Sequence, residues 1–106
     1  MKKGYTMFAM GKDIFFETDR EKKTDKFAEE FIEKFVKKYD KLKLNIVNYN
    51  ELISYIKYAM KPCVMEEKTI ENGNFKGLKY IELNGENFSV GTNGCKNPYD
   101  EIFYVK

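Results

Sequence analysis

A chain of 106 residues, 42% hydrophobic and 16% aromatic, can bury a single-domain core unaided and is too rich in core-formers for disorder. It has no histidine and only two cysteines, Cys63 and Cys95, which excludes Ser-His-Asp and Cys-His chemistry, histidine-containing zinc sites and an all-cysteine zinc site. Its formal net charge of +2 is the difference between 19 basic and 17 acidic residues, whereas a nucleic-acid module usually carries a larger, clustered excess.

Arg20 is the only arginine, so bidentate reading of base edges has little to draw on. The bias towards lysine, asparagine and isoleucine is equally what an AT-rich genome produces. No stretch approaches the length of a membrane-spanning helix, and the apolar run 5–10 is too short for a signal-peptide core. The expected compartment is therefore the cytoplasm, with two free thiols as the expected state and a disulfide as the alternative.

Residues 5–10 and 13–17 are short apolar runs flanking Gly11-Lys12, and they predict a hairpin with a type II′ turn. Both are apolar at nearly every position, which calls for cover on two faces or for a partner. Thr18-Asp19-Arg20-Glu21 matches a capping box. The following helix carries Phe27, Ala28, Phe31, Ile32, Phe35, Val36 and Tyr39 at three-and-four spacing, a broad apolar face that reads as core. Glu30→Lys34 and Glu33→Lys37 lie opposite in the favourable i,i+4 order.

Residues 41–46 alternate strictly and predict a half-buried strand. Asn48 is placed to cap a second helix, with Glu51 three residues later. Leu52, Ile53, Ile56, Ala59 and Met60 give that helix its apolar face, and Pro62 stops it. Beyond it, runs 64–70, 75–83, 87–90 and 101–105 read as strands, punctuated by Asn72-Gly73, Asn84-Gly85 and the loop 91–98. The expected fold is a single two-layer α+β domain over 1–106. Its order is β-β-α-β-α-β-β-β-β, a mostly antiparallel sheet with two helices packed on one face.

Three sets of residues are candidates for function. Apolar side chains on both faces of the end strands make Tyr5, Phe8, Phe16, Phe103 and Tyr104 a candidate interaction surface, or else mark a second covered sheet face. Lys26, Lys34, Lys37, Tyr39, Lys41 and Lys43 interleave base and aromatic in the manner of a single-strand binder, though Glu29, Glu30 and Glu33 are interspersed. Gly91, Asn93, Gly94, Cys95 and Lys96 form a glycine-bearing loop that could approach a ligand, yet Walker spacing and a base for Cys95 are absent from the sequence. The adjacent carboxylate pairs, Glu66/Glu67 among them, diverge on a strand and read as solvated surface.

The expected function is a non-enzymatic protein-binding module, a regulatory, immunity or phage-type inhibitor that occludes a larger protein or self-associates through an edge strand. Nucleic-acid binding through the lysine-rich helix is the second reading, and a small-ligand binder or enzyme using the loop 91–98 the third. No catalytic residue, cofactor or metal is nominated, and no membrane partner.

Overall fold

A computed structural model of the chain describes residues 1–9, 11–38, 48–83, 86–88 and 102–106. The N-terminal apolar runs form the expected hairpin from β1 (Lys2–Ala9) and β2 (Lys12–Glu17). Ala9 pairs with Lys12, so Gly11 is the second of the two connecting residues, where the expected turn had it as the first. Its φ of 74° lies in the left-handed region that glycine enters without steric cost. Gly4 is required for a different reason: a Cβ there would collide with the carbonyl oxygen of Phe16 on the neighbouring strand.

Helix α1 (Asp25–Lys38) starts later than the capping-box reading implies. Thr24 is the cap, its Oγ1 accepting from the Phe27 amide at 3.2 Å. Thr18 instead closes a local turn by accepting from the Arg20 amide at 3.3 Å. A box match that far upstream of the first apolar position has no periodic segment to cap. Helix α2 (Tyr49–Ala59) begins as expected, with the Asn48 side chain accepting from the Glu51 amide at 3.2 Å. Met60 turns the chain into extended conformation, and β3 (Lys61–Thr69) follows at once, carrying Pro62 near its start.

The strand expected over 75–83 shortens to β4 (Lys79–Leu83). Asn72-Gly73 is not a two-residue turn: Ile70 and Leu78 close a longer loop, the Ile70 amide donating to Leu78 O and the Gly77 amide to Ile70 O, both at 2.9 Å. Gly73 and Gly77 both adopt positive φ there, and Phe75 lies in the loop, exposed, instead of in a strand. β5 (Glu86–Phe88) and β6 (Phe103–Val105) complete the set. The strand expected at 41–46 and the Asn84-Gly85 turn lie outside the described residues.

All six strands join one sheet in the order β5-β4-β3-β1-β2-β6, antiparallel except where β6 runs parallel to β2. Both helices cover one face, as the sequence predicts for this α+β fold. Their cluster joins Tyr5, Met7, Ile14 and Phe16 from β1 and β2 to Phe27, Phe31 and Phe35 of α1 and Ile53 and Ile56 of α2. The rings meet mostly edge-on: Tyr5–Phe27 at 4.7 Å, Phe16–Phe27 and Phe16–Phe31 both at 5.4 Å. The other face holds a second buried cluster with no helical residue in it: Phe15, Cys63, Met65, Ile81, Leu83 and Ile102.

Candidate functional site

The two buried clusters decide the fate of the expected aromatic surface. Strand alternation sends Tyr5 and Phe16 beneath the helices, where both are buried and offer a partner no area. The strand that carries Tyr5 is also interior, flanked by β2 and β3, so it has no free edge to lend. Phe8, at the far end of β1, is 66% exposed. Phe103 is half-buried against Phe35, ring centroids 5.9 Å apart, with the Lys12 amine 5.3 Å from its centroid.

Tyr104 is the centre of a small polar corner on the edge strand β6. Its ring stacks on Phe15 at 5.9 Å, its hydroxyl donates to Glu17 Oε2, and the Lys2 amine donates to that hydroxyl at 2.9 Å. Burial and the Glu17 carboxylate push the Tyr104 phenol above its ordinary pKa, against the opposing pull of Lys2. The Lys38 amine donates to the Tyr104 carbonyl. A lysine held on an edge carbonyl is a recognised way of blunting strand addition, so β6 is a guarded edge.

Of the lysine-rich set, Lys26, Lys34 and Lys37 lie on the solvent side of α1 among Glu29, Glu30 and Glu33. Lys34 pairs with Glu30 at 3.2 Å, and Arg20 Nε reaches the same carboxylate at 2.6 Å. Burial raises the Glu30 pKa, but the hydrogen bonds from Arg20 and Lys34 outweigh it and hold the carboxyl below 4.5. The positive field on this face is thus broken up by acids. Tyr39, Lys41 and Lys43 lie outside the described residues, as do Gly91, Asn93, Gly94, Cys95 and Lys96.

Cys63 is a free thiol buried in the second cluster, and desolvation pushes its pKa up to about 12. Such a sulfur is neither a nucleophile nor a ready metal ligand at neutral pH. Among the described residues no group of three or more cysteines, aspartates and glutamates is arranged to hold a metal ion.

The sequence reading missed two features. The first is the outer side of α2, where Tyr55 is 52% and Tyr58 is 78% exposed, with the Lys61 amine 5.6 Å from the Tyr58 centroid. Tyr55 and Tyr58 are one turn apart and fall outside the apolar set Leu52, Ile53, Ile56, Ala59 and Met60. That misfit was the available signal. Beside them Leu52 and Tyr55 line a small cleft of about 130 Å³ that reaches Met7 and Phe35.

The second feature is a groove of about 490 Å³ past the N-terminal end of α1. Tyr5 forms part of its floor, Pro62 and Val64 of β3 its wall, and Lys3, Arg20 and Glu21 also line it. The segment after β2 is tied down around it: the Thr18 amide donates to Lys3 O at 3.2 Å and the Lys23 amine to Met60 O at 2.8 Å. Sequence alternation signals this only indirectly, since Cys63 and Met65 turn to the opposite face and leave Pro62 and Val64 on the helix side.

Compared with known proteins, the chain matches no family model, no curated protein and no solved structure.

Proposed function

We propose that this chain is a non-enzymatic protein-binding module of regulatory or inhibitor type, which occludes a surface of a larger cytoplasmic protein by docking the outer side of α2. The observation that carries this reading is the pair Tyr55 and Tyr58, two large rings on adjacent turns that lie outside the core. Tyrosine supplies rigid, amphipathic contact area with few rotors to immobilise, which is why it is enriched among the residues that dominate interface energy. Leu52, half-buried at the lip of the neighbouring cleft, extends the apolar strip beside Tyr55. A helix that presents anchors one turn apart suits a groove on a partner. No helix among the described residues is long and apolar enough to cross a membrane, which is compatible with a cytoplasmic partner.

The test is affinity capture from the cell that encodes the chain, repeated with the double variant Tyr55→Ser/Tyr58→Ser. Both rings are more than half exposed, so the variant should keep the wild-type circular dichroism. Loss of the captured partner, with a cost of at least about 2 kcal/mol in a direct titration, is the expected result. A partner retained unchanged by the double variant would overturn the docking face, and capture of no partner at all would overturn the function.

A further inference from the structure

We propose that the groove beside β1 and β3 binds a small amphipathic carboxylate, with its apolar body on Pro62 and Val64 and its carboxylate on Lys3 and Arg20. The volume of about 490 Å³ falls within the range of small-molecule sites, whereas the cleft beside α2, at about 130 Å³, is far smaller. The floor and wall are apolar, and the charged groups sit among the same lining residues, which is the usual arrangement of a site that orients a ligand by one polar end.

Charge selects the sign of that polar end. Among the described residues no acid engages the Lys3 ammonium. Arg20 uses its Nε on Glu30 and has no other side-chain partner there, so its two terminal nitrogens are open to a second carboxylate. A guanidinium held at Nε by one acid keeps its planar fork in a fixed orientation for another. Glu21 also lines the groove and opposes an anion, so the rim carries two cations against one acid, with Glu30 already shared by Arg20 and Lys34.

The rim is also ordered before any ligand arrives. The Thr18 amide is bonded to β1, the Arg20 amide to Thr18 Oγ1, the Arg20 side chain to α1 and the Lys23 amine to the end of α2. Holding the segment 18–24 in place lowers the ordering cost that a ligand would otherwise meet. This site is separate from the tyrosine face of α2, and neither proposal depends on the other.

The test is an NMR titration of the ¹⁵N-labelled full chain with decanoate, with decyltrimethylammonium and acetate as controls for head-group sign and for the apolar body. Saturable amide shifts at residues 3–5, 18–21 and 63–64 with decanoate alone are expected. Lys3→Gln should weaken decanoate about threefold, the scale of one exposed ion pair, and Glu21→Gln should tighten it. Val64→Glu, at a position 37% exposed, should abolish binding in a chain whose circular dichroism shows that it is still folded. Absence of shifts at these residues, equal binding of the cationic amphiphile, or an unchanged affinity in Lys3→Gln would each overturn the proposal.

Discussion

Each face of this one sheet carries a buried cluster, yet the two clusters are built from different materials. Beneath the helices, aromatic rings from several elements interlock: Tyr5 and Phe16 with Phe27 and Phe31, then Phe31 with Phe35 and Phe35 with Phe103. On the opposite face the buried set is mostly aliphatic and sulfur-bearing, with Phe15 its one fully buried ring. Edge-on ring contacts add specific geometry to area burial, about 0.5–1.5 kcal/mol per pair beyond the hydrophobic term. Flexible side chains such as Met65 fill space without fixing angles in that way. The helix-covered face therefore specifies how the layers sit on each other, while the other face, whose described cluster holds no helical residue, adds burial on β3 and β4.

The sharpest way to break this comparison is to remove one central side chain from each face. Phe31→Ala deletes a ring that touches both Phe16 and Phe35, and a core Phe→Ala change costs about 3–5 kcal/mol. Met65→Ala removes a fully buried side chain from the other cluster, at about 2–5 kcal/mol, and should cost less than Phe31→Ala because it deletes a smaller side chain and no ring contact. Either loss is large against the roughly 5–15 kcal/mol that holds a domain of this size together. Denaturant melts should show Phe31→Ala losing most of its stability and Met65→Ala losing less. Equal losses would mean that ring geometry adds nothing beyond area, and a Met65→Ala variant with wild-type stability would mean that the second face is not a core.

How much of this is legible in the sequence depends on whether the signal is local. The α1 stripe is readable because Phe27, Phe31, Ile32 and Phe35 repeat at the helical period, and the Asn48 cap because one side chain and one amide define it. The doubly apolar strands 5–10 and 13–17 announce a second covered face, but cannot say that it is interior, since the residues meeting Phe15 come from β3, β4 and the C-terminal segment. Register between strands so distant in sequence is not written in any window of the chain, and so Tyr5 and Phe16 read as surface although they are core. The loop closed by Ile70 and Leu78 escapes notice because Asn72-Gly73 mimics a tighter turn. The tyrosine pair on α2 and the groove at Pro62 are visible only as residues that the core pattern fails to use.

Alkaline pH offers a way to stress the second cluster selectively. Burial raises the Cys63 thiol from 9.0 to about 12, so its neutral form is the one the fold accommodates. Stability from this source is complete below the unfolded-state value and is lost as pH rises from about 9 through about 12. Tyr104, raised by its burial and by Glu17, acts in the same direction above its ordinary value of 10.0. Melting temperatures measured from about pH 8 to about pH 11 should fall, and Cys63→Ala should flatten the fall while lowering the starting value through its lost side-chain volume. An unchanged slope in Cys63→Ala would show that the thiol does not ionise on unfolding in this window, and hence that the second cluster is more hydrated than its burial implies.

Acid should act on the other side of the molecule, and weakly. Glu30 sits between Arg20 and Lys34 on the solvent face of α1, next in sequence to Phe31, and its lowered pKa means that the fold prefers the carboxylate. The sign follows from linkage: this contribution is present above the ordinary value of 4.5 and is lost as pH falls through the lower folded value. Because the three side chains are partly exposed, solvent screens the pairing, and Glu30→Gln at neutral pH should cost under about 1 kcal/mol. The same variant should show a shallower loss of stability between about pH 5 and about pH 3 than the parent chain, and added salt should narrow the difference between them. A loss as large as that of Phe31→Ala would mean that α1 is anchored by its charges and lies loosely on the sheet. A negligible loss at Glu30 beside a severe one at Phe31 would place the hold on α1 in the aromatic face, one residue along the chain and about 100° round the helix.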